Sequence, residues 1–386
     1  MKRKPNLAAL IAAQAGVPTK IEGTYGVAKT KFVEAIAKEW GKQFYAYVPS
    51  QHPPEDAGGI PFPNEEKRFI DMLPMPFFKA MEEPGWVLFI DEITTCDPRT
   101  QSLLLTMVEE KKVGDLKFHP DTIVIAACNP DNVAPNGLPL AQPVNNRLYH
   151  HNWEFPFDDW YDGMMKGGDW SESNKNYPVL PETWENFLVQ WTSLIARLCK
   201  KHMEIVETHE ESEEYATASP RSWYKLARCI AAAHSLGLHE ELMHEFATGL
   251  VGEAGATCLA AYWSGRKAYD PQQVLDGTVK VTVTDDALDQ LIYLPMSLLE
   301  ELATDGKPSA DGIFHKDYKM PTERLNRACE VLADLSENSL LNCAAPALRE
   351  IKNTYCSKLH GAKAYKVPAK INARLVAIAK KVGGVK

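Results

Sequence analysis

The octapeptide Gly23-Thr-Tyr-Gly-Val-Ala-Lys-Thr30 constrains this chain more than any other stretch of its sequence. It follows a short apolar segment around Ile21 and precedes a helical pattern that ends at Gly41. Glycines let the backbone wrap closely around an anion, and the N–H groups at the start of a helix point toward it. The octapeptide therefore predicts a phosphate-binding loop between a strand and a helix.

Each residue of the octapeptide has a predicted part in binding ATP. Lys29 is predicted to contact the β- and γ-phosphates, and Thr30 to bind Mg²⁺ through its hydroxyl. The other positions are predicted to surround the phosphates: Gly23, Thr24, Tyr25, Gly26, Val27 and Ala28. Because glycine usually precedes the lysine and alanine stands there here, the octapeptide alone also fits an ordinary turn.

A second motif, Val87-Leu-Phe-Ile-Asp91-Glu92, is an apolar strand pattern that ends in two adjacent acids. Asp91 is predicted to bind Mg²⁺. Glu92 is predicted to orient and polarise the water that attacks the γ-phosphate. Two acids that cap a turn are the alternative interpretation, which is less common for a pair that follows a loop lysine.

Three further polar residues have predicted roles in hydrolysis. Asn129 ends an apolar segment and is predicted to hydrogen-bond the water and the γ-phosphate, although Asn-Pro also initiates turns. Arg147 and Arg221 are predicted to neutralise charge in the transition state, an effect worth about 10³ to 10⁵ in rate. A single arginine is more often a surface salt-bridge residue, but the order of the two after the strand motifs favours a function.

Hydrophobic patterning divides the 386 residues into an α/β part and a helical part. Alternation of strand and helix signals predicts a parallel sheet flanked by helices. The candidate strands are Thr19–Glu22, Phe44–Pro49, Trp86–Ile90, Thr122–Cys128 and Leu148–Trp153. We predict an α/β domain over 1–157, a helical domain over 158–276 and a helical region of unknown role over 277–386.

Two stretches of the α/β part do not fit a minimal unit of this kind. The segment Gln51–Pro76 is rich in proline and glycine, and Lys112–Pro120 has the pattern of a small hairpin. Both are predicted insertions.

Charge and cysteine content limit the classes of function. A formal net charge of −9 disfavours nucleic-acid binding. Eight cysteines without a Cys-x-x-Cys pair argue against disulfides and zinc, and predict reduced thiols in a cytoplasm. No apolar stretch approaches the roughly 20 residues of a membrane helix. The apolar run Leu7–Ala15 predicts a helix capped by Asn6 rather than a signal peptide.

Together these motifs resemble the AAA+ ATPases. The surrounding segments resemble the MoxR branch, in particular bacterial members that accompany von Willebrand factor A-domain proteins. The resemblance covers roughly residues 16–276. It lies in Gly23–Thr30, Phe89-Ile-Asp-Glu-Ile, Gln101-Ser-Leu-Leu-Leu, Val113-Gly-Asp-Leu, Ala126-Ala-Cys-Asn129, Asn146-Arg-Leu, Asp158-Asp-Trp160, Ser219-Pro-Arg-Ser-Trp223 and Gly249-Leu-Val-Gly-Glu-Ala.

The resemblance implies a P-loop AAA+ sheet followed by an all-α lid and a helical C-terminal extension. It also implies that Asn129 is sensor 1, that Arg147 is an arginine finger acting on the nucleotide of a neighbouring subunit, and that Arg221 is sensor 2. A homo-oligomer follows from the finger, usually a hexameric ring. The implied protein partner is one with a von Willebrand factor A domain.

The two insertions also gain an identity from the resemblance. Gln51–Pro76 is similar to the helix-2 insert and Lys112–Pro120 to the hairpin before sensor 1, which face the ring pore in this clade. Phe62 is then the candidate to touch a substrate, although it could equally tuck its proline-rich loop onto the domain.

The expected function is ATP hydrolysis by a ring that remodels, activates or assists metal insertion into a partner protein. A DNA-directed AAA+ motor is one alternative, which the acidic net charge disfavours. A nucleotide-dependent scaffold with little turnover is another. Stimulation of the ATPase by DNA would support the motor, and assembly with ATP but without phosphate release would support the scaffold.

Overall fold

The computed structural model describes residues 4–64, 69–130, 139–168, 177–207, 216–265, 269–283, 291–292, 294–304, 320–356 and 364–383. The chain separates into two compact units, residues 1–184 with 202–260 and residues 185–201 with 261–386. The functional boundaries predicted after residues 157 and 276 stay predictions, because compactness does not test what each segment does.

A five-stranded parallel sheet forms the centre of the first unit. The strands along the chain are β1 (Thr19–Glu22), β2 (Gln43–Tyr47), β3 (Ile60–Asn64), β4 (Phe69–Leu73), β5 (Trp86–Ile90), β6 (Lys112–Val113), β7 (Leu116–Lys117), β8 (Ile123–Cys128) and β9 (Tyr149–Asn152). The sheet has the order β2-β5-β8-β1-β9, and its paired strands are parallel. All six residues of β8 are buried, as expected for a strand covered on both faces. The predicted α/β fold with a parallel sheet is confirmed.

Both predicted insertions contain an antiparallel hairpin, β3–β4 and β6–β7. The two hairpins touch at Met72 and Asp115. The backbone N–H of Met72 donates to Asp115 Oδ2 at 2.8 Å, and the N–H of Asp115 donates to the Met72 carbonyl at 3.1 Å. Gly114 has a φ of 55°, and a Cβ there would lie 2.4 Å from that carbonyl oxygen, so the contact requires glycine. Phe62 is exposed on β3 and is not tucked onto the domain.

The helices lie mainly after the sheet. In chain order they are α1 (Leu7–Gln14), α2 (Lys29–Glu39), α3 (Pro54–Gly58), α4 (Pro76–Lys79), α5 (Pro98–Leu105), α6 (Gln142–Asn145), α7 (Phe157–Met165), α8 (Leu188–Lys201), α9 (Pro220–Ser235), α10 (His239–Gly265), α11 (Pro271–Asp276), α12 (Leu294–Thr304), α13 (Thr322–Leu335), α14 (Leu341–Tyr355) and α15 (Ala369–Gly383). The predicted helical character of the second half is confirmed.

Asn6 does not cap α1, contrary to prediction. Its backbone is left-handed, with a φ of 58°, whereas a capping residue needs an extended backbone to aim its side chain at the first N–H groups. The Asn6 side chain instead donates to the Glu154 carbonyl at 2.8 Å and accepts from the Glu154 N–H at 2.9 Å. Asn6 therefore joins the start of the buried helix α1 to the segment after β9.

The second unit is helical throughout its described elements. Trp191 of α8 stacks on Trp263 at the end of α10, with ring centroids 4.9 Å apart. Arg327 of α13 donates to the Leu275 carbonyl of α11 at 2.7 Å. Helix α13 has the predicted bounds, whereas α14 begins six residues before the predicted Ala347. The role of this unit stays unassigned.

The eight cysteines all lie in described residues and form no disulfide, and five of them are buried. Burial raises the pKa of the Cys96 thiol to about 11. Such thiols are poor nucleophiles at neutral pH. The described part of the chain contains no helix long and apolar enough to cross a membrane.

Candidate functional site

A cleft of about 320 Å³ lies at the carboxyl ends of β1, β5 and β8. It is lined by residues 25–31 together with Asp91, Glu92, Cys128 and Asn129. Parallel strands present their carboxyl ends at one edge of a sheet, and the loops that follow them surround the ligand. The structure thus brings together the octapeptide, the paired acids and Asn129, which the sequence had placed up to 106 positions apart.

The octapeptide forms a tight loop that ends at the start of α2. The N–H of Gly23 donates to the Cys128 carbonyl at 3.2 Å, and a Cβ at Gly23 would lie 2.6 Å from Trp153 Cβ. Gly26 and Ala28 both have left-handed backbones, with φ of 74° and 61°. The alanine therefore stands where the backbone prefers glycine, at a cost of about 1–2 kcal/mol.

The Lys29 side chain folds back onto the backbone of its own loop. Its Nζ donates to the carbonyls of Gly23 and Thr24, the latter at 3.0 Å, and to Asn129 Oδ1 at 3.1 Å. Burial lowers the pKa of Lys29 below its usual value, against the opposing charges of Cys128, Asp91 and Glu92. An ammonium group that is held by neutral oxygens in this way is available to phosphate oxygens, which would bind it more strongly.

Thr30 and Asp91 offer two oxygens at a single point. The Thr30 hydroxyl donates to Asp91 Oδ2 at 2.7 Å. The backbone N–H of Asp91 donates to the Tyr47 carbonyl at 2.8 Å, which places the carboxylate at the end of β5. No group of three or more metal-binding side chains occurs among the described residues. The pair fits Mg²⁺, which usually takes one or two protein oxygens and completes its shell with phosphates and water.

Glu92 has a left-handed backbone, with φ 53° and ψ 44°. Its carbonyl accepts hydrogen bonds from the Thr95 N–H at 2.9 Å and the Thr95 hydroxyl at 2.8 Å. Such a conformation costs a non-glycine residue free energy, and strained residues concentrate at functional sites. The turn holds the Glu92 side chain at the wall of the cleft beside Asp91.

Arg147 and Arg221 do not line the cleft. Arg147 Nη1 donates to the Pro143 carbonyl at 2.6 Å. Arg221 Nε lies 3.4 Å from Glu109 Oε1, and its Nη1 donates to Asn146 Oδ1 at 3.3 Å. Within one chain the side chains of both arginines thus contact residues that do not line the cleft. The roles of Arg147 and Arg221 stay predictions.

Sequence reasoning missed the residues that connect these two arginines. Lys225 Nζ donates to Glu109 Oε2 at 2.7 Å and to the carbonyl of Arg147 at 2.8 Å. Burial lowers the pKa of Lys225, and the charge of Glu109 opposes this shift.

The two missed residues differ in whether the sequence signals them. Lys225 lies four residues after Arg221, a helical spacing that places both on one face of α9. Glu109 carries no such signal, because it lies in a π-helical turn, Thr106–Glu110, that departs from regular helix spacing.

Comparison with known proteins supports the identity of this cleft. Residues 19–143 match the family model of the AAA domain (dynein-related subfamily), over roughly a third of the chain. That segment includes the octapeptide, both acids and Asn129, and it ends before Arg147. The part of the chain that surrounds the cleft is therefore similar to an AAA domain.

One solved structure to which the chain is similar is described as a "putative ATPase" from Cytophaga hutchinsonii. The two chains are 17% identical with a TM-score of 0.41, over 72% of this chain and 89% of that one. No curated protein matches the chain.

Proposed function

We propose that this chain is an AAA+ ATPase of the MoxR type that works as a ring to remodel, activate or assist metal insertion into a partner protein. The observation that carries the proposal is the shared cleft of Lys29, Thr30, Asp91, Glu92 and Asn129. Phosphoryl transfer to water requires a cation for the phosphates, a metal site and a group that orients the water. The cleft supplies a candidate for each.

Each side chain of the cleft has a distinct task in this proposal. Lys29 exchanges its loop carbonyls for phosphate oxygens, with the loop N–H groups beside it. Thr30 and Asp91 would hold Mg²⁺, which when bound neutralises charge on the phosphate oxygens. Glu92 accepts a hydrogen bond from the attacking water and takes up its proton. Asn129, already 3.1 Å from Lys29 Nζ, orients the water toward the phosphate.

The ring is proposed because the described cleft lacks an arginine of its own. A second positive charge on the γ-phosphate raises the rate of hydrolysis in related chemistry by about 10³ to 10⁵. Arg147 is partly exposed, and its side chain contacts the Pro143 carbonyl. We propose that it acts on the cleft of another copy. Hydrolysis would then depend on assembly.

The test compares Glu92→Gln with Glu83→Gln, an exposed acid outside the cleft, as a matched control. Glu92→Gln is expected to bind ATP with unchanged affinity and to release phosphate about 10² to 10⁴ times more slowly. Glu83→Gln is expected to turn over at the wild-type rate. Wild-type turnover in Glu92→Gln would overturn the assignment of the base.

The same Glu92→Gln protein tests whether a partner protein binds the ATP-bound state, since the variant would hold ATP without hydrolysing it. A protein that needs the ATP state should bind the variant more firmly in ATP than in ADP. Equal capture in both nucleotides would contradict a remodelling role.

A nucleotide-dependent scaffold is the second candidate. It is favoured by the contacts that hold both arginines away from the cleft within one chain. Assembly with ATP, together with no phosphate release at any protein concentration, would establish the scaffold in place of the hydrolase.

A further inference from the structure

Glu109 is the centre of a polar cluster in the first unit that lies outside the cleft. Its carboxylate Oε2 accepts a hydrogen bond from Lys225 Nζ at 2.7 Å, and its Oε1 lies 3.4 Å from Arg221 Nε. We call Glu109, Asn146, Arg147, Arg221 and Lys225 the Glu109 cluster. It contains three basic side chains and one acid, so its net charge is +2 when all four are ionised.

The two basic partners of Glu109 differ in exposure. The side chain of Lys225 is 9% exposed and that of Arg221 is 41% exposed. Arg221 Nη1 donates to Asn146 Oδ1 at 3.3 Å, whereas its Nη2 has no hydrogen-bond partner among the described residues. Lys225 is therefore the buried partner of the carboxylate, and Arg221 is held through two of its nitrogens while the third is open to an anion.

Arg147 is joined to the same cluster through its backbone. Its carbonyl accepts the second hydrogen bond of Lys225 Nζ, at 2.8 Å. Its side chain contacts the Pro143 carbonyl and forms no ion pair within the described part of the chain. The ion pair of Glu109 and Lys225 thus fixes the backbone of one arginine and the guanidinium of the other.

The positive charges of the cluster are close enough to affect one another. Burial lowers the pKa of Lys225, the charges of Arg221 and Arg147 lower it further, and the charge of Glu109 opposes these shifts. Like charges that are held together in a partly buried place cost free energy unless an anion offsets them. A terminal phosphate carries the negative charge that the cluster lacks.

We propose that Glu109 and Lys225 are positioning residues for the hydrolysis of ATP: their ion pair holds Arg147 and Arg221 as one unit, so that both guanidinium groups reach a single terminal phosphate together. The inference rests on the proposed function. Neither Glu109 nor Lys225 touches the phosphate. Their contribution is that the two arginines are in place before the reaction, and charge that is held in advance stabilises a transition state at no further cost of reorganisation.

An ion pair that only supports the fold is the alternative. Buried ion pairs often contribute little to stability compared with apolar residues of the same volume. In this one, each partner also contacts an arginine: Glu109 the guanidinium of Arg221, and Lys225 the carbonyl of Arg147. These contacts favour positioning, because a supporting pair has no need of the two arginines.

The test replaces both charges of the pair in the full chain. Glu109→Gln/Lys225→Met removes the ion pair, leaves no buried charge without a partner and keeps both arginines. Lys42→Met/Asp121→Asn is the matched control, since these residues also form an ion pair in the first unit, at 3.0 Å, and contact neither arginine. Phosphate release at increasing ATP concentration gives kcat and KM, while thermal unfolding and ATP affinity report that each protein is folded.

Glu109→Gln/Lys225→Met is expected to bind ATP like the wild type and to lower kcat by about 10- to 100-fold, with little change in KM, because the arginines lose their common position. The control should turn over at the wild-type rate. A wild-type kcat in Glu109→Gln/Lys225→Met would overturn the inference. A wild-type chain that releases no phosphate would instead defeat the proposed function, and this inference with it.

A second measurement separates positioning from support of the fold. Arg221→Ala is introduced into the wild type and into Glu109→Gln/Lys225→Met. It should lower kcat strongly in the wild type but by less than about threefold in the double variant, where the guanidinium is already out of place. An equal loss in both backgrounds would show that the ion pair does not act through Arg221, and would overturn the inference.

Discussion

The Thr30 hydroxyl donates to Asp91 Oδ2 at 2.7 Å, although 61 positions separate the two residues in the chain. The contact joins the first turn of α2 to the end of β5, at the point where we propose that Mg²⁺ binds. Any change to either oxygen should therefore alter how the protein uses Mg²⁺.

Asp91→Asn is expected to lower Mg²⁺-dependent phosphate release by at least about 100-fold, because a carboxylate that binds the metal contributes several kcal/mol through it. Thr30→Ser is the matched control, since it keeps the hydroxyl and should keep most of the activity. Phosphate release measured across a Mg²⁺ titration checks both. An Asp91→Asn protein with the wild-type Mg²⁺ response would contradict the assignment.

Ala28→Gly is expected to stabilise the protein. The left-handed backbone at residue 28 costs alanine about 1–2 kcal/mol that glycine avoids. Glycine also raises the conformational entropy of the unfolded chain, which offsets part of this gain in stability. Ala35→Gly, in the interior of the same helix, should instead destabilise it by about 1 kcal/mol. The thermal unfolding midpoints of the two variants should move in opposite directions. A lower midpoint for Ala28→Gly than for the wild type would show that the left-handed backbone does not destabilise the protein.

Nucleotide binding should take up protons at alkaline pH. Burial lowers the pKa of Lys29 below 10.5, so part of the free protein carries a neutral lysine as the pH rises toward that value. Phosphate requires the charged form, so binding recharges the lysine and affinity falls with rising pH. Calorimetry in buffers of different ionisation enthalpy measures the uptake.

Lys29→Arg is the control for that experiment, because arginine stays charged throughout this range. The variant should show no proton uptake at any alkaline pH where it still binds nucleotide. Equal uptake in the two proteins would assign the proton to another group.

Glu109→Gln should destabilise the first unit by about 1–3 kcal/mol, because it removes the anion that pairs with the buried Lys225. Burial already lowers the pKa of Lys225. The loss should therefore be greatest at neutral pH and shrink as the pH rises and the lysine becomes neutral.

Thermal unfolding of Glu109→Gln at several pH values, beside the wild type, measures this dependence. The double variant with Lys225→Met should recover stability, since no buried charge then remains. A destabilisation that is constant with pH would show that Glu109 acts by packing rather than by charge.

Local sequence patterns predicted much of the fold. The strands Thr19–Glu22 and Trp86–Ile90 have the predicted bounds, and so does the helix Thr322–Leu335. Such elements depend on short-range periodicity, which a single sequence displays. Asn6 misled the prediction, because the identity of a residue does not reveal whether its backbone is extended or left-handed.

The candidate site was predicted in its parts but not in its connections. The octapeptide, Asp91, Glu92 and Asn129 were named from the sequence, and the structure places them around one cleft. The contacts of Glu109 with Arg221 and Lys225 were not predicted, because they join a π-helical turn to a distant helix. No spacing of residues along the chain indicates such a contact.

The octapeptide loop, the strands and the acids that end one of them could be predicted from the amino-acid sequence, since they follow from chain-local geometry and from chemistry at fixed spacing. Only the folded chain shows that Arg147 and Arg221 lie outside the cleft of their own chain and that α7 presents its apolar side chains to solvent. These features depend on strand order and on which helix packs against which. Long-range packing sets both, through the total surface buried rather than through any local pattern.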